Sequence, residues 1–124
     1  FNTPPVFSVY ACMLSLKWLD NKGGVEVVEN LNRKKSEILY SEIDSDDVFS
    51  GFANVDDRSI MNVTFNLNDE KYKDIFDKML IENNISGLNG HRSVGGYRAS
   101  IYNAMDISSV EILIDTIKKF KNYI

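Results

Sequence analysis

The residues able to do chemistry in this 124-residue chain gather in one stretch. Between Asn83 and Met105 there is no Asp, Glu or Lys, although eighteen acids in the chain would place about three in a stretch of that length. The stretch holds His91, the only histidine, together with Arg92 and Arg98, two of the four arginines. In a chain of net charge −4, an acid-free island carrying two guanidiniums suits an anionic ligand. Arginine grips carboxylates and phosphates through two parallel hydrogen bonds. Gly87, Gly90, Gly95 and Gly96 allow backbone N–H groups to approach such a ligand closely. The alternative is that the arginines pair with acids elsewhere and the glycines only make turns. Composition does not choose between the two.

Other reactive side chains offer less. His91 has no second His or Cys close by in sequence, so a metal site is not expected. Cys12 lies within an apolar segment and reads as inert core. Lys118, Lys119 and Lys121 fall in the last turns of a helix, where cations suit the dipole. Arg58, after Asp56 and Asp57, reads as half of a structural ion pair.

These groups need elements to hold them. Thr3 is a candidate N-cap with Pro4 at the first helical position, opening an apolar helix that runs to about Leu19. Its side chains leave no polar stripe, so the helix is expected to be covered on all sides. Gly23 and Gly24 stop it. A second helix over 24–43 aligns Val25, Val28, Leu31, Ile38 and Leu39 on one side, with Lys34, Lys35 and Glu37 mostly on the other. A short extended piece is expected over 49–52. Met61, Val63, Phe65 and Leu67 alternate with Asn62, Thr64 and Asn66, the period of a half-buried strand. Asn68 is the expected cap of a third helix, whose Tyr72, Ile75, Phe76, Met79 and Leu80 form the cleanest helical stripe. A loop over 87–96 leads to a second strand over 97–102. Ser108 to Glu111 reads as a capping box for a last helix burying Val110, Leu113, Ile114, Ile117 and Phe120. The fold class is α+β, a small mixed or antiparallel sheet with helices packed on one face, preceded by a long apolar helix.

Composition sets outer limits. The hydrophobic fraction of 44% and charged fraction of 26% are those of an ordinary globular domain. One cysteine cannot form an internal bridge. The acidic balance disfavours non-specific nucleic-acid binding. No apolar run approaches the roughly 20 residues needed to span a bilayer. A cytoplasmic domain is expected, and its fully apolar first helix suggests a piece of something larger.

Residues 90–104, Gly-His-Arg-Ser-Val-Gly-Gly-Tyr-Arg-Ala-Ser-Ile-Tyr-Asn-Ala, closely resemble the signature of the phosphoserine aminotransferase family. That family lies in class V of the fold-type I pyridoxal-phosphate aminotransferases. Asn2-Thr3-Pro4-Pro5 looks like the segment that opens its C-terminal domain. Lys17-Trp18-Leu19, Gly23-Gly24-Val25, Asn32-Arg33-Lys34 and Arg58 to Val63 follow in the family's order. The resemblance implies amino transfer between L-glutamate and 3-phosphohydroxypyruvate, giving O-phospho-L-serine and 2-oxoglutarate on the serine pathway. In many bacteria it implies a second role in pyridoxal-phosphate synthesis. It also implies a homodimer with shared active sites. By motif, Asn2 and Thr3 would contact the cofactor phosphate of the partner subunit, His91 and Arg92 the substrate phosphate, and Arg98 the α-carboxylate.

The chemistry of pyridoxal phosphate also needs a lysine for covalent attachment and proton transfer. Each of the ten lysines here lies on an amphipathic helix or in a turn. The family's lysine precedes the Asn-Thr-Pro-Pro segment, so residues 1–124 read as a C-terminal small domain cut just before Phe1. The catalytic residue would then lie in a large domain outside this chain. Two other readings stay open, a non-catalytic anion-binding or regulatory module and another class V aminotransferase or lyase. An upstream reading frame bearing the lysine domain would sink the first. The His91-Arg92 pair favours a phosphorylated substrate over the second.

Overall fold

The computed structural model describes residues 2–124. Phe1, where the sequence reading sets a domain boundary, lies outside them. Four helices and three strands follow in the order α1 Val6–Asn21, α2 Gly24–Ile43, β1 Phe49–Gly51, β2 Asn62–Leu67, α3 Lys73–Glu82, β3 Tyr97–Ser100 and α4 Ile107–Tyr123. Single 3₁₀ turns occupy Val55–Asp57 and Glu70–Tyr72. The chain divides into two compact units, Phe1–Leu31 and Asn32–Ile124.

In the first unit, α1 begins later than expected. Pro5 takes the N-cap position and its carbonyl accepts from the Val9 N–H at 3.1 Å, with no side-chain cap, so Thr3 does not start the helix. A long helix apolar on every face is not what forms. The helix has 16 residues and carries Ser8, Ser15, Lys17 and Asp20 among its apolar side chains. None of its residues is buried, and Cys12, expected in the core, is exposed. Gly23 and Gly24 adopt φ of 103° and 82°, a left-handed pair that ends α1 before α2 starts.

Exposed apolar area of this kind is unusual on a monomer. In dilute solution the isolated 124-residue chain is therefore expected to self-associate, which sedimentation would show as a species larger than 14.1 kDa. A monomer whose α1 amides resist hydrogen exchange would contradict this.

The second unit carries the sheet. β1 and β3 flank β2, both antiparallel to it, with Phe49 opposite Leu67, and Thr64 opposite Arg98. Strict alternation buries Val63, Phe65 and Leu67 and leaves Asn62, Thr64 and Asn66 on the outer face. The buried face packs on Leu39, Ile43, Phe76, Leu80, Ile117 and Phe120, so the helices lie on one side of the sheet as expected. An aromatic cluster ties the layers, with Phe76 4.9 Å from Phe120 and 5.1 Å from Phe49, centroid to centroid. All five residues expected to be buried along α4 are buried.

Three local expectations are corrected. Asp69, not Asn68, caps the turn before α3, accepting from the Lys71 N–H. Asn68 is occupied elsewhere, accepting from the Ser50 hydroxyl and donating to the Asp47 carbonyl. The capping box at Ser108–Glu111 does not form, because Asp106 takes the N-cap of α4 without a side-chain bond. On α2, Val25 and Leu31 are exposed while Lys35, placed on the polar side, is only 2% exposed. Its ammonium donates to the carbonyls of Ile101, Tyr102 and Met105 at 3.0, 2.8 and 3.1 Å. Those three acceptors offset the cost of burying the charge. Arg58 does form its structural pair, but with Asp44 rather than Asp56 or Asp57, while stacking over Tyr40.

Candidate functional site

Arg98 owes its position to the period of β3. Tyr97 and Ala99 point into the core, so Arg98 between them projects from the outer face, opposite Thr64 of β2. Leading into the strand, residues 88–98 fold back on themselves. Arg98 N–H donates to the Leu88 carbonyl at 2.6 Å, and Gly90 N–H to the Gly96 carbonyl at 2.9 Å. At the tip, the His91 carbonyl accepts from the N–H groups of Val94 and Gly95. Glycine is required here by contact as well as by conformation. A Cβ on Gly90 would lie 1.9 Å from the Gly95 carbonyl oxygen, and Gly96 has φ of +65° with β2 against it.

The result is a pocket of about 210 Å³ between the folded loop and the outer face of β2. Thr64 and Asn66 line it from β2, Phe52 from beyond β1, His91 and Val94 from the loop, and Arg98 from β3. No Asp or Glu lines it. Nδ1 of His91 accepts from the Ser93 N–H at 3.3 Å and sits 2.7 Å from the Ser93 hydroxyl. These contacts occupy Nδ1 and leave Nε2 without a partner among the described residues. Among the described residues, neither Arg92 nor Arg98 is paired with an acid.

The expected site residues therefore divide. His91 and Arg98 share the pocket, whereas Arg92 is exposed on the same turn and does not line it. Asn2 and Thr3 belong to the first unit and are exposed, with no hydrogen bond among the described residues. Thr64, Asn66 and Phe52 were not singled out for chemistry. The alternation of residues 61–67 puts Thr64 and Asn66 on the open face, but only the β2–β3 register sets Thr64 opposite Arg98, and only the folded loop closes a pocket over Asn66.

Tyr97 anchors this strand from below. Its hydroxyl donates to Asp77 Oδ1 at 2.8 Å, and Asp77 also pairs with Lys73. Burial pushes the phenol well above its ordinary value of 10.0, with the Asp77 hydrogen bond and neighbouring acids adding to the shift. A pKa raised in the native state means its stabilising contribution is complete below pH 10 and is lost as pH rises further. Tyr97→Phe is expected to cost about 1.5 kcal/mol at pH 7 and to lessen the alkaline loss of stability. Urea unfolding at pH 7 and above pH 10 checks both.

A folded, acid-free loop on an antiparallel sheet with helices on one face makes a domain of α+β type, and its family can be stated. The chain belongs to the class-V aminotransferase family, whose profile matches residues 1–113. Among individual relatives, the phosphoserine aminotransferase of Flavobacterium psychrophilum is 52% identical over 124 residues, covering 100% of this chain and 35% of that protein. That of Flavobacterium johnsoniae is 54% identical over 122 residues, covering 98% and 34%. The solved phosphoserine aminotransferase from Bacillus circulans subsp. alkalophilus superposes with a TM-score of 0.90 at 44% identity, covering 98% of this chain and 34% of its own. The pyridoxal-phosphate-bound enzyme from Trichomonas vaginalis does so with a TM-score of 0.84 at 34% identity, covering 95% and 34%. The chain thus spans about a third of the length of the relatives it matches.

Proposed function

We propose that this chain is the C-terminal small domain of a pyridoxal-phosphate-dependent phosphoserine transaminase. The full enzyme would move an amino group between L-glutamate and 3-phosphohydroxypyruvate, giving O-phospho-L-serine and 2-oxoglutarate. The observation that carries this reading is the acid-free pocket in which the Arg98 guanidinium and Nε2 of His91 have no partner among the described residues. Both substrates are multiply anionic, and such a pocket in an acidic chain is where anions are held.

Each residue has a role set by its surroundings. Arg98, on a strand, offers a fixed fork for the α-carboxylate common to both amino acids. His91 and Arg92, on the exposed turn, serve the phosphate that only one substrate carries. Asn2 and Thr3 suit the cofactor phosphate, because their amide and hydroxyl are exposed and have no hydrogen bond among the described residues. The cofactor, when bound, supplies the electron sink through which the amino group is exchanged. In the homodimer Asn2 and Thr3 would serve the partner subunit's cofactor, and the enzyme would work in the cytoplasm.

The two most enclosed lysines are already committed within the domain. Lys35 is held by three carbonyls and Lys121 by Glu42, Asp46 and Ser45. That supports an attachment lysine in the other two-thirds of the enzyme. The test is to assay the full-length protein and the 124-residue chain side by side with glutamate and 3-phosphohydroxypyruvate. The full-length protein should form 2-oxoglutarate and the chain alone should not. Turnover by the chain alone, or none by the full-length protein, would overturn the reading.

A further inference from the structure

The signature loop leaves one wall of the anion pocket undescribed. That wall is the outer face of β2, and its residue nearest the loop is Asn66. Asn66 alternates outward with Thr64, and Thr64 stands opposite Arg98 in the β2–β3 register. The amide of Asn66 lies against Gly96, its Oδ1 2.2 Å from where a Cβ on that glycine would sit. Gly96 thus gives the Asn66 side chain room, where a larger residue would displace it. Although only half-buried in a polar wall, the Asn66 side chain forms no hydrogen bond with any described residue.

Two unpaired donors of different kinds therefore line one small pocket, the Arg98 guanidinium and the Asn66 amide. A carboxylate has two oxygens and about four lone-pair directions, more than one guanidinium fork satisfies. We propose that Asn66 is a binding residue of this site, donating its amide N–H to the carboxylate that Arg98 holds. The inference rests on the reading of Arg98 as the carboxylate clamp. It adds a neutral donor from β2, outside the loop. Neutrality matters, because an acid at this position would meet the ligand's own charge at short range.

The test uses the full-length, cofactor-loaded enzyme and glutarate, an unreactive dicarboxylate, titrated by calorimetry. Asn66→Asp keeps the shape and adds a negative charge, and should weaken glutarate binding about 100-fold. Asn66→Ala should weaken it about 10-fold, and Asn66→Ser, which restores a small donor, should recover part of that loss. Melting temperatures of all three should stay close to wild type. If Arg98→Ala abolishes binding while Asn66→Asp binds as wild type, this inference fails and the reading of Arg98 stands. If Arg98→Ala itself binds glutarate as wild type, the reading of the clamp fails. Weak binding accompanied by a large fall in melting temperature in all three Asn66 variants would make Asn66 a structural support for Gly96 and overturn the proposal.

Discussion

Arg98→Ala in the full-length enzyme is expected to lower kcat/KM by roughly 30- to 5,000-fold, for glutamate and phosphoserine alike. The range follows from a charge-assisted bidentate pair, whose loss typically costs about 2–5 kcal/mol. The effect should be large because nothing else in the pocket can replace a guanidinium. Arg98 is the only arginine that lines it, and no lysine does. It should also be clean, because the side chain has no ion pair to lose and projects from the open face of the sheet. Steady-state kinetics in both directions check it. Unchanged kcat/KM for either amino acid would be incompatible with a shared carboxylate clamp.

Lys35→Met should lower folding stability by about 2–4 kcal/mol. Methionine fills much of the lysine's volume, so little of the loss comes from a cavity. What remains are the carbonyls of Ile101, Tyr102 and Met105, which lose their donor together. The turn they form joins β3 to α4, and Asn32 secures it as well by donating to Asn103 Oδ1 at 2.7 Å. Burial holds the Lys35 pKa below 10.5, with the nearby Asp106 opposing that shift. A lowered lysine pKa makes the native state release its proton first, so this residue's contribution to stability rises with pH toward the ordinary lysine value. Denaturant unfolding of wild type and variant at pH 7 and pH 10 measures both effects. A difference under about 0.5 kcal/mol, the range of neutral surface substitutions, would mean that the carbonyls find other partners.

Lys35 also marks the limit of what sequence alone conveys. Stripe reasoning places a lysine on the wet face, yet its partners are carbonyls at least 66 residues away. Where the deciding contacts are local or periodic, the sequence suffices. The alternation of residues 62–67 matches the observed burial residue by residue, and the five stripe residues of α4 are all buried, whereas Met61 stays half-buried ahead of the strand. Caps were less legible, because Asn68, Asp69, Asp106 and Ser108 are all competent and tertiary bonds choose among them. Cys12 was misjudged because an apolar segment was equated with a buried one. The loop of His91, Arg92 and Arg98 stood out by its lack of acids and by family resemblance. Asn66 did not, since it comes to share a pocket with Arg98 only where the loop folds against β2.

Arg98 on β3 and the His91–Arg92 turn before it divide the labour of binding, and half-reaction kinetics separate their roles. The cofactor absorbance of the full-length enzyme is followed after mixing with glutamate or phosphoserine separately, in wild type, Arg98→Ala, His91→Ala and Arg92→Ala. Arg98→Ala should slow both half-reactions. The His91 and Arg92 variants should slow the phosphoserine half-reaction and largely spare that of glutamate. Impairment of phosphoserine alone by Arg98→Ala, or equal impairment of both amino acids by the His91 and Arg92 variants, would contradict it.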